Sequence, residues 1–199
     1  MSRNLRLATT LLLISIAATA SSREGRFPNP AEPLDPTGAR DAARVVLPDR
    51  FRIAVHRSPS RAAAETAAAM GLATQEQAAL ADLSHGAWTG RSFADIESAE
   101  PGSMERWLAD PTQGVPGGEA MEQARRRVGA WLDEVAAFDG PVCAITHPMI
   151  VRAALSHALG LPLRATLAVD VAPLSRTVLS FNRTWRLQSL GLASESMPS

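Results

Sequence analysis

The stretch Pro141-Val142-Cys143-Ala144-Ile145-Thr146-His147-Pro148 decides the architecture. Its continuous apolar run, Pro141 to Thr146, reads as a short strand buried on both faces, as the inner strands of parallel sheets are. Gly140-Pro141 stops whatever precedes it, and Pro148 suits the first turn of a helix running from Met149 to Leu159 and ending at Gly160. A strand therefore passes directly into a helix with His147 at the junction. Open α/β sheets place ligands at the carboxyl ends of their strands, so His147 is the first candidate for a site.

The same strand-to-helix unit appears earlier in the chain. Ile53 to Val55 is a short strand candidate, and Ser58-Pro59 supplies an N-cap and first-turn proline for an Ala-rich helix stopped by Gly71. Ahead of it, Ser21 to Thr37 is rich in Pro, Gly and charge and reads as a long surface loop before a helix from Thr37 to Val46. Behind it, Asp82 to Gly118 carries Gly, Pro and Trp with short helical pieces, as a lid over one end of a sheet would. From Glu119, apolar residues at Met121, Ala124, Val128, Trp131, Leu132, Val135 and Phe138 keep the helical repeat. Within that helix, Arg125 to Arg127 reads as a solvated face. Leu167 to Val171, Thr177 to Phe181 and Trp185 to Leu187 read as strands that finish the sheet. The expectation is one α/β domain over residues 1–190, a three-layer α/β/α sandwich with a mostly parallel central sheet, followed by a tail over 191–199.

Bulk composition narrows the function. Twenty basic and twenty acidic residues cancel, which leaves no global electrostatic reason to expect nucleic acid or an anionic membrane as partner. Every basic residue is Arg, so phosphate-loop lysine and Schiff-base chemistries are excluded. The single cysteine, Cys143, rules out an internal disulfide and reads as a buried, inert thiol. No metal-ligand spacing emerges among His56, His85, His147 and His157, and no cofactor is expected. At the N-terminus, the uncharged stretch from Leu7 to Ser22, with Ala18-Thr19-Ala20 as a cleavage site, fits a secretory signal; it equally fits a buried first strand over Thr9 to Ile16.

Five motifs in order resemble the histidine phosphatase, phosphoglycerate mutase-like, superfamily. These are Leu11 to Ile14 followed by Ser15-Ile16-Ala17-Ala18-Thr19 with Leu34 to Gly38; Ser58-Pro59-Ser60-Arg61-Ala62 through Thr66-Ala67; Asp82 with Gly86-Ala87-Trp88-Thr89-Gly90; Pro116-Gly117-Gly118-Glu119; and Thr146-His147 through Ile150-Val151-Arg152. The resemblance makes the N-terminal run the first strand, which implies a cytoplasmic protein; secretion would follow only if residues 1–20 were a signal peptide. It further implies a nucleophilic histidine, arginines and a second histidine around the phosphate, and an acid for the leaving oxygen. Carried over, the acid falls on Asp82 and the second histidine on His147. The first arginine falls on Ser15, the nucleophile on Ile16 and the second arginine on Ala62. Isoleucine has no lone pair with which to attack phosphorus.

Thr19, Arg57 and Arg61 complete the candidate substrate contacts. Arg61 stands one residue from the expected arginine, which turns a helical side chain by about 100°, so it requires a shifted helix start. Arg57 and Arg152 also read plainly as solvated or paired, His56, His85 and His157 as surface or core, and Trp88, Trp107 and Trp131 as packing. The resemblance thus implies a degenerate phosphate site in a binding or regulatory protein that holds a small phosphorylated metabolite or another protein. The competing expectation is an active phosphatase working through His147 and Asp82.

Overall fold

The computed structural model describes residues 8–191, so the segments 1–7 and 192–199, with nearly all of the expected tail, lie outside the described residues. The elements follow in the order β1 (Thr9–Ser15), α1 (Ala20–Glu24), α2 (Pro36–Ala43), β2 (Val55–Arg57), α3 (Arg61–Ala69), β3 (Gln75–Glu76), α4 (Phe93–Ala99), α5 (Ser103–Ala109), α6 (Met121–Val135), β4 (Pro141–Thr146), α7 (Pro148–Leu159), α8 (Leu163–Thr166), β5 (Arg176–Asn182) and β6 (Thr184–Gly191). The six strands form one sheet in the order β3-β2-β4-β1-β5-β6. From β3 through β1 all pairings are parallel; β5 and β6 are added antiparallel, so the sheet is mixed.

The alternation of strands and helices was the basis of the α/β reading, and the layers follow from it. Leu11 and Leu13 of β1 face one apolar cluster with Val128, Trp131 and Leu132 of α6 and Ile150 and Ala154 of α7. Leu12 and Ile14 face the other, with Phe51, Ala63 and Ala67. β1 is thus buried on both faces, as its uninterrupted apolar sequence requires. Cleavage after Ala20 would remove this strand, which sits between β4 and β5.

Several expected boundaries move. The helix expected to reach Val46 stops at Ala43, and Val46 and Ile53 are among the exposed apolar residues. The second strand begins at Val55 rather than Ile53. The N-cap of α3 is Ser60, whose Oγ accepts the Ala63 amide at 3.2 Å, and not Ser58. The expected loop from Ser21 contains α1, and Leu167 to Val171 forms no strand: the chain there leaves α8 in turns. An alternating pattern specifies a strand only if a sheet edge is available to it.

Cys143, in the middle of β4, is wholly buried, and burial pushes its thiol up to about 12. Only the thiolate alkylates. We expect no modification by iodoacetamide at pH 8 in the folded protein and full modification in denaturant, read by intact mass; rapid labelling without denaturant would contradict this burial.

Candidate active site

The carboxyl ends of β1, β2 and β4 open onto two adjoining cavities of about 350 and 340 Å³. Ile16, Thr19, Pro28, Asp82, His85 and His147 border both. The first is otherwise largely apolar, walled by Phe27, Phe93, Met104, Trp107, Leu108 and Met149. Ser15 borders it too, buried with no partner for its hydroxyl. The second is lined by Glu32, Ser58, Ser60 and Ala62 among others. The candidate positions Ser15 and Ala62, which come from two distant parts of the chain, thus line the first and the second cavity respectively, and Ile16 borders both.

His147 follows β4 at the N-cap of α7 and is almost fully buried. Its Nε2 lies 2.9 Å from Ser58 Oγ and 3.1 Å from Ser60 Oγ. Its Nδ1 lies 3.3 Å from Asp82 Oδ2, close enough for an ion pair but off the line of a hydrogen bond, so Nδ1 has no hydrogen-bond partner. Burial lowers the His147 pKa, partly opposed by the charge of Asp82. Burial likewise lowers that of His85, whose Nδ1 is also buried and unpartnered, and whose ring packs 4.8 Å from Phe27. Both rings are held toward their neutral form. His85 was read only as a surface or core residue, yet it borders both cavities; its place just before the Gly86-Ala87-Trp88 turn was the signal available.

Asp82 is placed by Arg127. Arg127 donates to the carbonyls of Ala79, Ala81 and Asp82 at 2.7, 2.8 and 3.1 Å, and to the Glu119 carboxylate at 2.7 and 2.8 Å. Its side chain is 24% exposed, against the expectation of a solvated Arg125–Arg127 face; Arg126, at 73%, meets that expectation. The turn is closed by Gly86, at φ +46, where a Cβ would stand 2.3 Å from the Pro116 carbonyl oxygen. Only glycine fits so close to that backbone.

The arginines expected at the substrate are elsewhere. Arg61 pairs with Glu65 at 2.7 Å and is largely exposed: the helix starts later than expected, at Arg61 itself, yet its side chain still turns outward. Arg57 donates to the Ser58 carbonyl at 2.8 Å and pairs with Glu76 at 3.2 Å. Neither borders either cavity. Thr19 does, but its hydroxyl oxygen accepts the Ser22 amide and caps α1. Arg152 donates to the Val169 carbonyl at 3.0 Å. The arginine at the cavity wall is Arg26, 44% exposed and paired with Glu24. Among the described residues, no group of three or more His, Cys, Asp or Glu could hold a metal ion.

This arrangement on this fold defines the class of protein: the sequence profile of the histidine phosphatase superfamily (branch 1) matches residues 16–192, and the chain belongs to that family. Among its relatives, a bifunctional protein of Mycobacterium tuberculosis is 33% identical over 181 residues, covering 84% of this chain and 49% of that one. The chain thus spans about half the length of the first curated relatives it matches. Phosphoserine phosphatase 1 of Hydrogenobacter thermophilus is 24% identical over 163 residues, 77% of each chain. A mycobacterial glucosyl-3-phosphoglycerate phosphatase, solved with VO3, superposes with a TM-score of 0.83 at 25% identity over 92% of this chain and 98% of its own. A putative α-ribazole-5′-P phosphatase of Escherichia coli shares the fold, with a TM-score of 0.83 at 18% identity over 96% and 100%.

Proposed function

We propose that this chain is a histidine phosphatase superfamily protein impaired in phosphomonoester hydrolysis, with Ile16 at the place of the nucleophilic histidine and Ser15 and Ala62 at the places of two arginines. The observation that carries this reading is the composition of the cavity walls. Where a phosphate dianion needs preorganised cations, they present Ser15, Ile16 and Ala62, with two carboxylates, Asp82 and Glu32, nearby. A phosphoryl group gains charge on its oxygens in transfer, and cations supply most of its stabilisation. Arg26, at the rim and already paired, supplies little.

In this reading Asp82 and His147 are retained site residues, and the pocket serves binding or regulation. Its occupant is a small metabolite, phosphorylated as those in the relatives' names are, or part of another protein. The same reading places it in the cytoplasm, because export with cleavage after Ala20 would delete the central strand. Among the described residues no helix is long and apolar enough to cross a membrane.

The test is hydrolysis of 4-nitrophenyl phosphate and a small panel of phosphomonoesters, with His147→Ala as control. Loss of the nucleophile from a cooperating site removes on the order of 10⁶-fold in rate in the protease case, so no turnover above background is expected. Turnover that disappears in His147→Ala would overturn the reading.

A further inference from the structure

We propose that Ser60, His147 and Asp82 form a serine-hydrolase relay that cleaves small, uncharged carboxylic esters, an activity distinct from phosphoryl transfer. The juxtaposition is a hydroxyl on one imidazole nitrogen and a carboxylate on the other. Ser60 Oγ stands 3.1 Å from His147 Nε2, and Asp82 Oδ2 stands 3.3 Å from His147 Nδ1. Such a triad is recognised by geometry and roles on unrelated folds, not by chain order. Without substrate, its hydrogen bonds are commonly long or poorly aligned.

Each member is held for its part. Asp82 is fixed through its own carbonyl by Arg127 and through Oδ1 by the Leu83 amide at 2.8 Å, leaving Oδ2 toward the ring. With the proton on Nδ1 facing that carboxylate, Nε2 is a free base, as a neutral buried imidazole requires. Ser58 is a positioning residue: fully buried, it places its Oγ 2.9 Å from Nε2 while accepting the Ser60 amide at 3.2 Å. Both border the second cavity, and Ser60, the N-cap of the nine-residue α3, is the more accessible of the two. The first-turn amide of Ala62 has no carbonyl of its own helix to donate to, and Ala62 borders the same cavity. With the unpartnered Nδ1 of His85, it is a candidate donor to a developing oxyanion.

The substrate class follows from the walls. The ester sits at Ser60 in the second cavity and its acyl chain reaches past His147 into the adjoining first, where Phe27, Trp107 and Met149 suit a short apolar chain, while the carboxylates of Asp82 and Glu32 oppose an anion. In the first step Ser60 Oγ bonds to the ester carbonyl carbon while its proton passes to His147 Nε2. The tetrahedral intermediate expels the alcohol, which leaves with that proton, and an acyl-serine remains. Water then attacks the acyl carbon, gives its proton to His147, and the carboxylic acid departs as the proton returns to Ser60. Only water is consumed.

The experiment uses the full chain, 4-nitrophenyl butyrate as substrate and phenylmethanesulfonyl fluoride as label. Turnover should exceed that of the heat-unfolded protein and fall on the order of 10²-fold or more in Ser60→Ala and His147→Ala. Peptide mass mapping of the wild-type chain should place a single sulfonyl group on Ser60, and the label should be absent in His147→Ala. Mapping needs no variant to fold, and Ser60→Asp, which retains a helix cap, replaces Ser60→Ala if that variant unfolds. No turnover above the unfolded control, a label on Ser58 or elsewhere, or labelling that persists in His147→Ala would overturn the relay. It depends on Asp82 and His147 sharing one pocket, not on the phosphate site being impaired. Turnover of 4-nitrophenyl phosphate in the same samples would overturn only the latter.

Discussion

The triple variant Ser15→Arg, Ile16→His, Ala62→Arg is expected to hydrolyse 4-nitrophenyl phosphate, at least ~10²-fold faster than Ile16→His alone. The single change supplies a nucleophile but leaves the dianion facing two carboxylates and a rim arginine. One preorganised oxyanion-hole donor is worth roughly 10²–10³-fold in an acyl-transfer enzyme, and groups that act as a unit contribute non-additively. Ser15 and Ala62 are both nearly fully buried, and the added guanidinium groups must extend into the cavities that these positions border. Overpacking costs typically 1–3 kcal/mol, so thermal unfolding is measured first. A folded triple variant that neither turns over phosphomonoester nor takes up a labelled phosphoryl group on residue 16 would refute the assignment of these three positions.

Arg127→Ala should be the most damaging single truncation at the site's border. It removes donors to three carbonyls and leaves Glu119, itself 20% exposed, without its cation. Breaking a largely buried pair and orphaning acceptors costs about 2–4 kcal/mol, which for a chain of this size lowers Tm by roughly 5–15 °C. Arg127→Lys should rescue little, because one ammonium cannot reproduce the planar fork. A calorimetric Tm within 2 °C of the parent would show that the Ala79–Asp82 segment holds itself.

How far the sequence could be read depended on whether the deciding interaction was local. The strand from Pro141 to Thr146 appears with the expected ends because its apolar run, the preceding glycine and the following proline are all neighbours in sequence. Ser58-Pro59 looked like a helix start by the same local rules, yet Ser58 is drawn to His147, 89 residues away, and the cap passes to Ser60. Arg127 sits in an arginine triplet that looks solvated; its partners lie in the 79–82 segment and at Glu119. Asp82 and His147 could be singled out because each stands in a motif at a strand or turn end, and both border the two cavities. His85 was missed: its place just before the Gly86-Ala87-Trp88 turn was the one local signal, while its position between the cavities and its ring contact with Phe27 are set by the fold.

The place of β1 has a kinetic consequence. It is the first strand of the chain, but its neighbours are β4 and β5, with Leu12 paired to Cys143 and Val178. During synthesis, therefore, Leu11 to Ile14 must remain without a native partner until β4, at Pro141–Thr146, has emerged. Sheets closed by such distant pairings fold slowly and expose unpaired edges meanwhile. Vectorial folding is thus barred for the centre of this sheet, and a nascent chain truncated before Pro141 would carry its most apolar strand with no native partner, as a substrate for holdase chaperones.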